Sequence, residues 1–343
     1  MCTQFAFRLL IPAAVMAVAT AFTTSRALAE TVDTINKSFE VGGVGTLTVD
    51  VDAGSIDVRT GPGSTVAVEV VRKFRGASEQ KEKDMLEAHK VTIEHSGRNV
   101  LIRARGEKSV QSWWSWFGRG TRRDVRYTIT VPQEYNADLK TSGGPIAVRG
   151  LHGSVESNTS GGPLRFAEIR GRINGSTSGG PIDIERCTGD ADLHTSGGGI
   201  DVDECEGTYK VGSSGGGISI EGHRGRITAH TSGGGVRLSR VDGSVDASTS
   251  GGPVSASFVG QPAGDCRLHT SGGGVSLDIP ANARFVLDAH TSGGGVSCNL
   301  PGGTQVEKSR GTLRATYNGG GPRIELSSSG GGIDVEATPA VEG

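Results

Sequence analysis

Large rings are scarce in this chain: aromatic residues make up 5% of its 343 positions. A core filled by aromatic side chains is therefore excluded, and any interior must be narrow and lined by aliphatic groups. Long apolar runs are also missing. Beyond the first 29 residues no segment approaches the ~20 apolar residues that a membrane-spanning helix needs. Neither sign of charge dominates, with 35 basic against 37 acidic residues, which gives no reason to expect nucleic-acid binding. No metal-ligand pair, nucleophile elbow or phosphate loop stands in the right context, and the Gly-Gly-x-Gly-x-Asp nonapeptide of calcium-binding β-rolls is absent.

The one apolar run reads as a secretory signal over residues 1–29. Arg8 supplies the positive start, Leu9 to Ala21 is largely apolar, and Ala27-Leu28-Ala29 is an A-x-A cleavage site before Glu30. Cys2 lies too far upstream to be a lipoprotein cysteine. The mature chain, with 33 basic and 37 acidic residues and a formal charge of −4, is expected in the periplasm, at the cell surface or outside the cell.

What the chain has in abundance is glycine, 56 residues at fixed places. A Thr-Ser-Gly-Gly pattern puts its serine at Ser142, Ser160, Ser178, Ser196, Ser214, Ser232 and Ser250, in steps of 18, and then at Ser271 and Ser292 in steps of 21. Such a period means a solenoid whose units bury their apolar faces only by stacking. Four and six residues after each serine run aliphatic columns, Ile146 to Val296 and Val148 to Cys298. Five before it runs another, Ala137 to Leu287. The spacing of two is that of a strand, and no helical period competes with it. Seven before the serine, glycine recurs from Gly153 to Gly264 and marks a corner. The expectation is an all-β fold, a single-stranded parallel β-helix (β-solenoid) with coils of about 18 residues and a β-rich N-terminal cap. About ten coils at ~4.8 Å make a rod roughly 50 Å long.

The domain reading is a signal peptide over 1–29, an N-terminal β cap region over 30–131, the solenoid over 132–338 and a tail over 339–343. Within the cap, strands are expected over 39–51, 55–60, 66–71, 91–95, 100–105 and 125–131. One helix is expected from Ser78 to Lys90, opened by its N-cap serine. Ser55-Ile56-Asp57-Val58 resembles the repeat, so degenerate coils can begin there.

Three features carry candidate chemistry. All the tryptophans fall in a basic loop over 109–123, where Trp113, Trp114, Trp116 and Phe117 precede Arg119, Arg122 and Arg123. Aromatics beside arginines suit an anionic surface, a glycan or a protein partner; the alternative is that they close the apolar end of the rod. An outward acidic cluster, Asp183, Glu185, Asp201, Asp203 and Glu221, stacks like charges on successive coils. Water with Arg186 or Arg224, a bound Ca2+, or polysaccharide chemistry are its three readings, and no other cofactor is expected. Cys187 and Cys205 share a repeat offset one coil apart, which leaves open a disulfide or two buried hydrophobes. His194, His230, His269 and His290 also share one offset, read as solvated, with only His269 and His290 on neighbouring coils. The threonine column from Thr141 to Thr249 has the parity of the core, which argues against an ice-binding face.

The Phe39-Glu-Val-Gly-Gly opening, the Val131-Pro132 step into Leu139-Lys-Thr-Ser-Gly-Gly, the tandem Thr-Ser-Gly-Gly-x-Ile-x-Val units and the Trp-rich loop together resemble a bacterial putative-adhesin family of exported β-solenoid domains. The resemblance implies a β-solenoid without catalytic residues that binds or organises the cell envelope. Self-association through the rod ends, as in bactofilins, is a further expectation, although the export signal argues against membership of that family.

Overall fold

Alternation of aliphatic and polar residues makes strands wherever it occurs, and the glycine corners limit most of them to four to eight residues. The computed structural model describes residues 31–75, 79–104 and 122–338. The signal segment and Trp113, Trp114, Trp116, Phe117 and Arg119 lie outside the described residues.

The N-terminal part holds β1 (Thr31–Glu40), β2 (Thr46–Val51), β3 (Ser55–Gly61), β4 (Thr65–Arg75), helix α1 (Glu79–Ala88), β5 (Thr92–Ser96), β6 (Asn99–Ala104) and β7 (Arg122–Pro132). The repeats supply β8 (Asn136–Thr141), β9 (Ile146–Arg149), β10 (Val155–Thr159), β11 (Leu164–Ala167), β12 (Ile173–Thr177), β13 (Ile182–Glu185), β14 (Ala191–Thr195) and β15 (Ile200–Asp203). They continue as β16 (Glu206–Ser213), β17 (Ile218–Glu221), β18 (Arg224–Thr231), β19 (Val236–Thr249), β20 (Val254–Phe258), β21 (Cys266–Thr270) and β22 (Val275–Pro280). The chain closes with β23 (Phe285–Thr291), β24 (Val296–Cys298), β25 (Gly303–Lys308), β26 (Thr312–Tyr317), β27 (Arg323–Ser328) and β28 (Ile333–Thr338). The expected strand at 39–51 is two strands, because Gly42 and Gly43 break it with positive φ; β1, rich in polar residues, gave little alternation to read.

The fold is all-β, one long, nearly closed, solenoid-like sheet of mixed order. Its parallel pairs step by one repeat: Ile173 faces Ala191, Ala191 faces Tyr209, and Ile182 faces Ile200. The aliphatic columns read from the sequence are buried from Ile146 to Val275. A one-residue-wide ladder, His152–Arg170–Thr188–Glu206, closes the third side of the coil.

In most coils the corner after the motif threonine or serine is held by its hydroxyl. Thr195 Oγ1 donates to the carbonyl of Gly180, one coil back, at 2.8 Å and accepts from the Gly198 amide at 3.2 Å. The same pair of bonds recurs at Thr159, Thr177, Ser213, Thr249, Thr270, Thr291 and Ser328. The threonine column thus faces inward, as its parity implies. The glycine that ends each motif is needed for space: a Cβ at Gly198 would sit 2.2 Å from the Gly180 carbonyl oxygen. At the opposite corner Gly207 needs both space and its φ of 136°.

Parallel order fails at the ends. The second sheet runs β5, β6, β2, β8, β10, β12, β14, β16, β18, the latter half of β19, β21, β27, β23, β26, β25. The first runs β1, β4, β7, β3, β9, β11, β13, β15, β17, the start of β19, β20, β22, β28, β24. The coil β2–β3 therefore lies inside the layer β6–β7, and the coil β27–β28 lies between β21–β22 and β23–β24. The antiparallel strands β1, β4, β5, β25 and β26 cover edges that parallel stacking would leave open.

Replacing Thr195 by Val keeps the volume and strands a carbonyl and an amide in the core, so chemical denaturation should show a loss of about 1–3 kcal/mol. Thr195→Ser, which keeps the oxygen, should lose less than half as much.

Candidate functional surfaces

The acidic cluster assembles as the register demands. Asp183 faces Asp201, Glu185 faces Asp203, and Asp203 faces Glu221 across β13, β15 and β17. Arginines relieve part of the repulsion: Arg165 and Arg240, from adjoining layers, pair with Asp183 at 3.2 Å and Glu221 at 3.1 Å, and Arg186 pairs with its neighbour Glu185 and with Glu168. Arg224 is engaged elsewhere, on Asp242 at 3.2 Å. Burial, and then the Asp183 charge, raise the Asp201 pKa. Among the described residues no three His, Cys, Asp or Glu side chains are arranged to hold a metal ion.

Cys187 and Cys205 are free, buried thiols in this structure, and the Cys187 amide donates to Cys205 Sγ at 3.4 Å. Contact with Cys205, and then burial, push the Cys187 thiol up. The same inward column continues to His223, which the sequence reading passed over. His223 Nε2 lies 3.1 Å from the Gly207 carbonyl and its ring packs edge-on against Tyr209 at 4.6 Å. Its signal was available, since 187, 205 and 223 are equally spaced. Cys266 is buried and pushed up to about 11 by desolvation, while Cys298 Sγ contacts Tyr317 Oη at 3.1 Å.

The four histidines are ordered differently from the sequence expectation. β27 enters between β21 and β23, so His269 and His290 each face Ser327 and are two layers apart. The 21-residue step in sequence implies adjacency, and an inserted coil from later in the chain breaks it.

Under α1 lies a buried polar cluster without a sequence signature. Arg72 donates to Asp33 Oδ2 at 2.9 and 2.5 Å and to the His89 carbonyl at 2.6 Å. His89 is 4% exposed and both its ring nitrogens lack partners. Burial, then Arg123 and Arg72, lower its pKa to about 4. Arg123, the member of the basic loop whose side chain is described, is half-buried here, and desolvation lowers its pKa. Arg122 begins β7, which starts where the Trp-rich segment ends.

A histidine held neutral in the folded state stabilises above its unfolded pKa and loses that contribution as pH falls. Stability should therefore drop by up to about 3 kcal/mol between pH 6.5 and 4, and His89→Leu should flatten that part of a pH–denaturation curve. Asp201, raised in the folded state, destabilises once ionised, so Asp201→Asn should raise Tm at pH 7, with the gain shrinking as acid protonates the wild-type carboxylate.

Residues 44–336 match the model of the Toastrack DUF4097 family. No curated protein matches the sequence. Among solved structures, a putative adhesin of Bacteroides fragilis NCTC 9343 is 13% identical, with 89% of this chain and 97% of that chain covered and a TM-score of 0.35. A putative lipid binding protein of Parabacteroides distasonis ATCC 8503 is 11% identical over 89% and 97% of the two chains, with a TM-score of 0.40. No helix of the described residues is long and apolar enough to cross a membrane. The match spans most of the sequence, and the chain belongs to the Toastrack DUF4097 family.

Proposed function

We propose that this chain is an exported, non-enzymatic module that binds or organises the cell envelope, its working part a parallel β-helix presenting long flat faces. The observation that carries the reading is the uniformity of the coils. Their corners are closed by glycine contacts and hydroxyl bridges, and short turns rather than long loops join their strands. Catalytic clefts need long loops converging on a concave centre, whereas flat repeated faces suit contact with an extended surface.

The Trp-rich basic segment joins β6 to β7 in sequence, the two strands that lie next to the coil β2–β3 on its outer side. Trp113, Trp114, Trp116, Phe117, Arg119 and Arg122 are proposed as its contact with an anionic surface, with Arg123 anchoring the base of the segment. In an oxidising compartment the Cys187–Cys205 pair can close to a disulfide across two layers.

Co-sedimentation of the mature protein with cell envelopes and anionic vesicles tests the proposal. Salt-sensitive pelleting is expected, lost in the Trp113/Trp114/Trp116→Ala variant while its circular dichroism is unchanged. Wild-type protein that stays in the supernatant with every envelope fraction overturns it.

A further inference from the structure

The inserted coil creates an alignment that the sequence order conceals. Following the outward column through the register gives His194, Gly212, His230, Ser248, His269, Ser327 and His290 on successive layers. A histidine thus recurs on every second layer, about 10 Å apart at the usual strand spacing. Each ring leans toward the next layer. His230 Nδ1 lies 2.6 Å from Ser248 Oγ, His269 Nδ1 lies 2.8 Å from Ser327 Oγ, and His290 Nδ1 lies 3.2 Å from Thr312 Oγ1. His194 fills the space above Gly212, where a Cβ would meet its Nδ1 at 3.2 Å. Fixing Nδ1 in this way leaves Nε2 as the free hydrogen-bonding atom of the ring. Beside the imidazoles runs a second column, the exposed serines Ser196, Ser214, Ser232, Ser250, Ser271, Ser329 and Ser292, one on each layer. The glycines that follow them raise no side chain over the track.

On the same outward face, toward the N-terminal ends of these strands, lies a depression of about 250 Å3, lined by Arg226, Asp246, Asp265, Arg267, Arg323 and Glu325. It opens where the repeat lengthens from 18 to 21 residues and the inserted coil enters. Its formal charges balance three against three: Arg267 pairs with Glu325 at 3.0 Å, the Arg323 amide donates to Asp265 at 2.8 Å, and the Arg323 guanidinium pairs with Asp288 beside the lining. A balanced lining gives no electrostatic attraction for a polyanion. It offers instead planar donors and acceptors for hydroxyl groups.

We propose that this face of the second sheet, from β14 to β23, is a binding track for an extended, uncharged β-linked glycan lying along the solenoid axis. An extended β-linked chain advances per sugar by close to one strand spacing, about 5 Å. Alternate sugars would thus meet an imidazole, each sugar would pass a serine hydroxyl, and the depression would take a substituent at one position. The track deepens the envelope reading above, on which it rests, by naming a ligand class.

The test titrates the mature full-length chain with chitohexaose and with cellohexaose, followed by calorimetry and by NMR of the histidine side chains. Binding of at least one hexamer with shifts at His230 and His269 is expected. The His230→Ala/His269→Ala double variant, which alters only outward side chains, should weaken binding tenfold or more, while His95→Ala at the far end should not. Failure of both hexamers to bind, or binding that ignores the double variant, overturns the proposal, as does a track that responds only to Zn2+ or only to a charged polymer at low salt. If envelopes pellet the protein while neither hexamer binds, the envelope reading stands and the glycan track falls.

Discussion

The hydroxyl that bridges consecutive corners is the interaction on which this architecture depends. A backbone turning within two residues leaves a carbonyl and an amide without ladder partners, and burying them unpaired would cost about 1–3 kcal/mol per group. One threonine or serine oxygen serves both, donating to the coil behind and accepting from its own. Because the donor and acceptor belong to different coils, each bridge also fixes the spacing and register of its neighbours. The glycine contacts have the same consequence: a carbonyl of one coil sits where the next coil's Cβ would be, so no layer can slip without a collision.

Uniform layers raise the problem of where to stop. A parallel stack exposes unpaired amides and carbonyls at both ends, which invites further chains. Here each chain-terminal coil is second in the stack, and the end layers carry antiparallel strands that do not repeat the motif. Sealing both ends of the second sheet in this way weighs against growth by simple end-to-end addition of copies. The first sheet ends at the C-terminal side on β24, only three residues long, an edge too short to template much.

The repeat made the coil readable. Spacing of two within a strand and 18 between strands identified the inward columns, the corners and the parallel register without ambiguity, since shifting any strand by one residue would expose its aliphatic face. The order of layers was not readable, because periodicity says that units stack and is silent about which unit meets which. Ser327-Ser328-Ser329-Gly330-Gly331 carries the motif, yet nothing in it says that it sits between Ser271 and Ser292. The acidic stack was visible from offsets alone, but its relief by Arg165 and Arg240 was not, since those arginines lie on layers to either side. The Arg72–Asp33–His89 cluster joins residues of β4, β1 and the end of α1, none of which follows a period.

The same reasoning explains where function can reside in such a molecule. Inside, each column position must match its neighbours in size, so Cys187, Cys205 and His223 are tolerated only as packed, desolvated groups. At the corners, glycine and threonine are required for space and hydrogen bonds. Only the outward positions of the strands are free to vary, and there the chain has placed arginine–carboxylate pairs and, from β14 to β23, a histidine on every second layer. A surface whose only long-range order is a strand spacing selects ligands by their own repeat rather than by a shaped cavity, and that constraint follows from the corners before any ligand is named.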